Sequence, residues 1–139
     1  MDNHIEGYIC KFNSLYKGSI PGYQITPEAF NGLNGKNVPV VFNNGRSDFP
    51  LSPKDVIGDA TLDIQSDGVK ISGSLLNKQE IDFIINSLKT EEFSFGFYAT
   101  NVKYYTDEKG IRYYTDGNIR SVSILPYKYG PVEEDKSNG

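Results

Sequence analysis

The chain has 139 residues, 37% hydrophobic and 23% charged, a length and balance that suit one soluble domain with its own core and exclude a domain pair. A net charge of −4 without any Lys/Arg cluster excludes a nucleic-acid groove, and the lone Cys10 excludes an internal disulfide. No apolar run is long enough to span a membrane.

The opening Met1-Asp2-Asn3-His4-Ile5-Glu6 lacks the basic-then-apolar order of a secretory leader. The expectation is a protein made and used in a cytosol, or carried from it inside an assembly. Residues 5–12 read as a first strand, with Tyr8, Cys10 and Phe12 on one face and Ile5 and Ile9 on the other. Residues 13–22 carry Ser14, Gly18, Ser19, Pro21 and Gly22, a loop by composition. After the extended Tyr23-Gln24-Ile25, Thr26-Pro27-Glu28-Ala29-Phe30 predicts a short helix: Thr as N-cap, Pro in the first position, Glu in the first turn. Gly32 and Gly35 end it.

Residues 38–42 form an apolar run of strand length that empties into the turn-rich 43–53. Residues 56–65 and 69–76 alternate in phase on either side of Ser66-Asp67-Gly68, which predicts a hairpin. Residues 77–90 predict the one long helix, with Asn77 and Glu80 as a capping box and Ile81, Ile84, Ile85 and Leu88 as its apolar stripe. Phe83 falls off that stripe.

Phe93-Ser94-Phe95-Gly96-Phe97-Tyr98 alternates at period two. The phenylalanines suit an interior, while Ser94, Gly96 and Tyr98 face the other way. A serine beside a glycine there is a nucleophile or simply a small residue where the sheet needs room, and the second is far the commoner. The strand runs to about Tyr105; Asp107-Glu108-Lys109-Gly110 then turns it into residues 111–115, and Asp116-Gly117-Asn118 turns again into 119–125. Tyr104, Tyr105, Tyr113 and Tyr114 stand on this second meander, as a cover for a sheet face or as a contact surface. The fold expected is mainly β (α+β): a mostly antiparallel, partly closed barrel of about seven strands, with one long and one short outer helix. It forms a single domain over residues 1–139, with residues 1–4 and 132–139 as flexible ends.

Four stretches carry a resemblance. They are Gly22-Tyr23-Gln24-Ile25-Thr26-Pro27-Glu28-Ala29-Phe30; the run from Val38 to Asn44 followed by Val56-Ile57-Gly58; Phe93 to Phe97; and Ser121-Val122-Ser123-Ile124-Leu125-Pro126. In this order, across residues 7–131, they resemble the phage prohead (capsid maturation) protease family, whose fold is similar to that of herpesvirus assemblins. The second resembles a strand ending in Asn-His-Asp, the third Ser-(Ile/Phe)-Gly-Phe, the fourth Glu-Val-Ser-Leu-Val-Pro. The resemblance implies a nucleophile at Ser94, a general base at Asn44 and an acid at Ser121. Of these three, only the serine is present.

A serine hydroxyl is a poor nucleophile until a neighbour takes its proton, and an asparagine amide has no lone pair basic enough to do so. Loss of the base from such a unit costs on the order of 10⁶ in turnover. His4, the lone histidine, sits in the terminal segment and reads as solvated; Lys70 or Lys103 in a Ser-Lys pair, or Asp48 as a weak base, are not singled out by anything around them. The expected protein is therefore a non-catalytic relative of the family kept in the phage head, an auxiliary, decoration or minor capsid protein. The chain stopping soon after Leu125-Pro126 agrees with this expectation, since it leaves no long scaffold-linked segment. Its implied partners are the major capsid protein or other head proteins, with self-association as a further one; no nucleic acid, membrane, metal or cofactor is expected. Its place is the virion, after synthesis in the bacterial cytoplasm. The rivals are a working serine endopeptidase with Ser94 as nucleophile and an unrecognised base, and a binding module on the same barrel unrelated to virions.

Overall fold

A computed structural model describes residues 3–17, 22–42 and 56–131. Its strands are β1 (His4–Lys11), β2 (Tyr23–Ile25), β3 (Asn37–Phe42), β4 (Val56–Ile64), β5 (Gly68–Leu75), β6 (Ser94–Thr106) and β7 (Arg112–Leu125). A 3-10 turn, Gln79–Ile81, leads into the helix α1 (Asp82–Lys89) between β5 and β6.

The seven strands make one curled sheet in the order β1-β5-β4-β3-β7, with β2 and β6 also on β7. β7 organises it. One edge of β7 pairs antiparallel with β6 along its whole length, from Ser94 opposite Leu125 to Thr106 opposite Arg112. Its other edge is shared end to end: β2 runs parallel to residues 112–114, and β3 parallel to residues 122–124. That central position explains why Ile119, Ser121, Val122 and Ile124 are fully buried. The inner face adds Val38, Val40, Ala60, Leu62, Val69 and Ile71 to the same core. Among the described strands no ladder joins β1 to β6, so the sheet is a half-barrel with an open seam between those two edges.

The expected β4–β5 hairpin forms, turning at Asp67-Gly68, with Gly58 opposite Leu75 and Ile64 opposite Val69. Other expectations need correcting. The segment after Thr26 is no helix but a run of turns, Ala29 N–H to Thr26 C=O, Asn31 to Glu28 and Leu33 to Phe30. The Thr26 hydroxyl donates instead to the Tyr114 carbonyl at 3.0 Å, so the would-be cap is spent on tying β2 to β7. The long helix is shorter than predicted and starts at Asp82; the 3-10 turn before it is capped at Lys78 rather than at Asn77, and neither entry has a side-chain cap. Its stripe is as expected, with Ile81, Ile84 and Ile85 buried.

Asp116-Gly117-Asn118 is not a turn either, since β7 continues through it. Gly117 is small for packing: a Cβ there would lie 3.2 Å from both Phe30 and Val102. Finally, Asn3 and His4 are not loose. Leu75 N–H donates to the Asn3 carbonyl at 3.0 Å, and His4 opens β1 opposite Ser74. The predicted flexible end 132–139 lies outside the described residues, as do residues 1–2.

Candidate functional site

Ser94 is the first residue of β6, directly after the α1–β6 connection. Phe93 just before it stacks on Phe42 at 5.7 Å, and Phe83 of α1 stands edge-on to both rings. This cluster fixes where β6 begins, and it explains the off-stripe Phe83, which stays 52% exposed while covering Phe42 and Phe93. On the same face of β6, Phe97 meets Phe30 edge-on at 5.5 Å, and Phe95 stands opposite the buried Ile124. The alternation read from the sequence is thus real.

The Ser94 hydroxyl is engaged by main chain. It donates to the Tyr127 carbonyl at 2.7 Å and accepts the Tyr129 N–H at 3.0 Å. Both partners lie in the segment after β7, which Pro126 bends away from the ladder. That segment is anchored in turn by Tyr129. Its ring lies 5.8 Å from that of Tyr16, which stacks on Tyr23 at 5.2 Å. Its hydroxyl donates to the Lys17 carbonyl at 2.9 Å and meets the Tyr23 hydroxyl at 2.9 Å. With its one proton on Lys17, the Tyr129 oxygen must accept in the second bond, so Tyr23 is the donor. Burial pushes the Tyr16 phenol up to about 12 and raises the Tyr23 phenol further, so both stay protonated; the Tyr16 hydroxyl accepts the Lys11 N–H at 2.7 Å.

The other positions fall as follows. Ser121 is fully buried on β7, its hydroxyl has no hydrogen-bond partner among the described residues, and it pairs with Tyr98 rather than Ser94. Four residues of strand, about 13 Å, separate it from the serine. Ser123 is nearer, opposite Gly96 and also buried. Asn44 and Asp48 lie outside the described residues. His4 faces Glu6 at 3.4 Å on β1. Lys70 lies on β5 above the Tyr8 ring, and Lys103 is nine residues along β6 from Ser94, 4.0 Å from Asp116. None of the three is brought to the serine.

The four tyrosines do not make one surface. Tyr104 pairs with Tyr114, and Tyr105 with Tyr113, so the pairs lie on opposite faces of the β6–β7 hairpin. Tyr114 turns inward against Tyr23 at 5.7 Å. Tyr105 and Tyr113 stack at 5.0 Å, with Tyr105 56% exposed. Among the described residues no group of His, Cys, Asp and Glu gathers as a metal site, and no helix is long and apolar enough to cross a membrane.

A family model for the caudovirus prohead serine protease matches residues 1–135. The chain belongs to that family. No curated protein and no solved structure matches it. Membership in the prohead protease family sets the chain in the context of phage capsid maturation. Tyr127 and Tyr129, which hold Ser94, carried no signal in the sequence beyond two tyrosines spaced by one residue after a proline.

Proposed function

We propose that this chain serves a phage head as a non-cutting structural part on the prohead protease fold, an auxiliary, decoration or minor capsid protein that binds the major capsid protein. One observation carries the reading: the Ser94 proton rests on the Tyr127 carbonyl, and a hydroxyl lone pair takes the Tyr129 N–H. An amide carbonyl is no general base, and a donor on the oxygen withdraws electron density from it. The replacement of histidine and acid by Asn44 and Ser121 at the family positions supports the same conclusion. The outward Tyr105–Tyr113 stack supplies amphipathic contact area for a capsid protein or a second copy. Repetition on a symmetric shell would multiply a weak contact of this kind. The chain is then a virion protein made in the host cytoplasm.

Family membership favours one rival, a working endopeptidase that uses Ser94. A fluorophosphonate probe separates the two. The purified protein should leave Ser94 unlabelled under conditions that saturate a control serine hydrolase, and purified particles should contain the protein at fixed copy number. Stoichiometric labelling of Ser94, or cleavage of a shell precursor that Ser94→Ala abolishes, would overturn the structural reading.

A further inference from the structure

At the open seam, β1 and β6 pass each other without hydrogen-bonding among the described residues. The seam is not filled. A cavity of about 520 Å³ lies along it, lined by Ile9 and Cys10 from β1, Phe95 and Phe97 from β6, and Tyr16 and Tyr129. Across the seam Gly7 faces the Phe95 ring, and a Cβ on it would sit 2.9 Å from that ring.

Residues 127–131 cross one end of this seam. They are tied to β6 through the two Ser94 bonds. Their other anchor is Tyr129, held by Tyr16 and Lys17 of the connection that leaves β1 and by Tyr23 of β2. Beyond Tyr129, Gly130 has open space where a side chain would be, and Gly130 and Pro131 complete the cavity wall. A few hydrogen bonds of about 1 kcal/mol each hold the segment, against the long β6–β7 ladder behind it. Local opening takes place first in such thinly held elements.

We propose that residues 127–131 are a detachable strap that gates the seam cavity. Closed, the strap joins β6 to the connection leaving β1. Detached, it frees the Ser94 hydroxyl and lets the seam widen while the rest of the sheet stays folded. This does not depend on whether Ser94 is catalytic, because the gate is read at a different residue.

Cys10 is the chain's one cysteine, buried in the cavity wall, so alkylation reports opening at a single site, where the thiol becomes both reachable and easier to ionise. The experiment measures the N-ethylmaleimide reaction rate of the full chain, as wild type, Tyr129→Phe, Ser94→Ala and the exposed-turn control Glu28→Gln. Tyr129→Phe keeps the ring and loses both hydroxyl bonds, so its rate should rise roughly tenfold or more, with a similar rise for Ser94→Ala and none for the control. The accelerated rate should depend only weakly on low urea, whereas global unfolding depends on it steeply. In the wild type, the Tyr129 amide should exchange with solvent well before those of Val122 and Ile124. An unchanged rate in Tyr129→Phe, a rise with the full urea dependence of unfolding, or a Tyr129 amide as slow as the core would each overturn the gate.

Discussion

The Tyr129 amide donates to the Ser94 hydroxyl across 35 positions of sequence and 3.0 Å of space. With the return bond from that hydroxyl to the Tyr127 carbonyl, one small side chain holds the segment after β7 against the start of β6. A serine used in this way works as a clamp.

Ser94→Ala should therefore cost stability as well as a hydroxyl. Two partly exposed hydrogen bonds vanish, and the expected loss is about 1–2 kcal/mol, a fall of roughly 3–6 °C in Tm. Exchange at the Tyr129 amide should quicken while particle assembly continues. Thermal scans with hydrogen exchange check this; an unaltered Tm and amide would show that the clamp holds nothing.

Gly7→Ala places a methyl 2.9 Å from Phe95 Cε2 and 3.2 Å from Cδ2. The wedge should destabilise by about 1–3 kcal/mol, as overpacking does. Trimming the ring with Phe95→Leu should remove the steric share of that cost, because the two sites share one space, and leave the share that comes from Gly7's φ of +157°. Urea titration of both singles and the double measures the coupling, and simple additivity would place the strain elsewhere.

Alkaline pH should unfold the chain sooner than its lysines alone would. Burial pushes the Cys10 thiol from 9.0 up to about 12 and the Tyr16 phenol from 10.0 up to about 12, with Tyr23 raised as well. Between the unfolded and folded values the folded state binds more protons, so stability is complete below about pH 9 and is lost as pH rises toward 12. Each such group adds a slope on the order of 1.4 kcal/mol per pH unit. Cys10→Ala should flatten the decline between pH 9 and 12; an unchanged slope in denaturant titrations would mean the thiol is already solvated.

Tyr105→Ser removes the exposed half of the outer stack. A cross-strand pair of this kind contributes about 0.2–1 kcal/mol, so folding should survive. Binding to phage heads should fall severalfold in co-sedimentation. Full binding would move the contact surface off this face of the hairpin.

Much of the architecture was legible locally. The β4–β5 hairpin follows from two alternating runs around Asp67-Gly68, and the faces of β6 follow from Phe95 and Phe97 against Ser94 and Gly96. Where the reading failed, a long-range partner had claimed the residue. Thr26 looks like a cap until its hydroxyl is needed by Tyr114. Gly117 looks like a turn until Phe30 and Val102 are seen to press on the place of its missing Cβ, 3.2 Å from each. Asn77 had the spacing of a cap, yet the helix begins at Asp82, where no side chain caps it.

The candidate site divides along the same line. Alternation, glycine placement and the motif order establish a β-rich chain of the prohead protease family with a serine at the head of one strand, because side-chain periodicity and turn chemistry are properties of neighbours in sequence. What that serine touches, whether the barrel closes, and which tyrosines face outward were decided by packing. Main-chain atoms accept or donate whatever residue bears them, so the Tyr127 carbonyl and Tyr129 amide that hold Ser94 leave no mark in the letters.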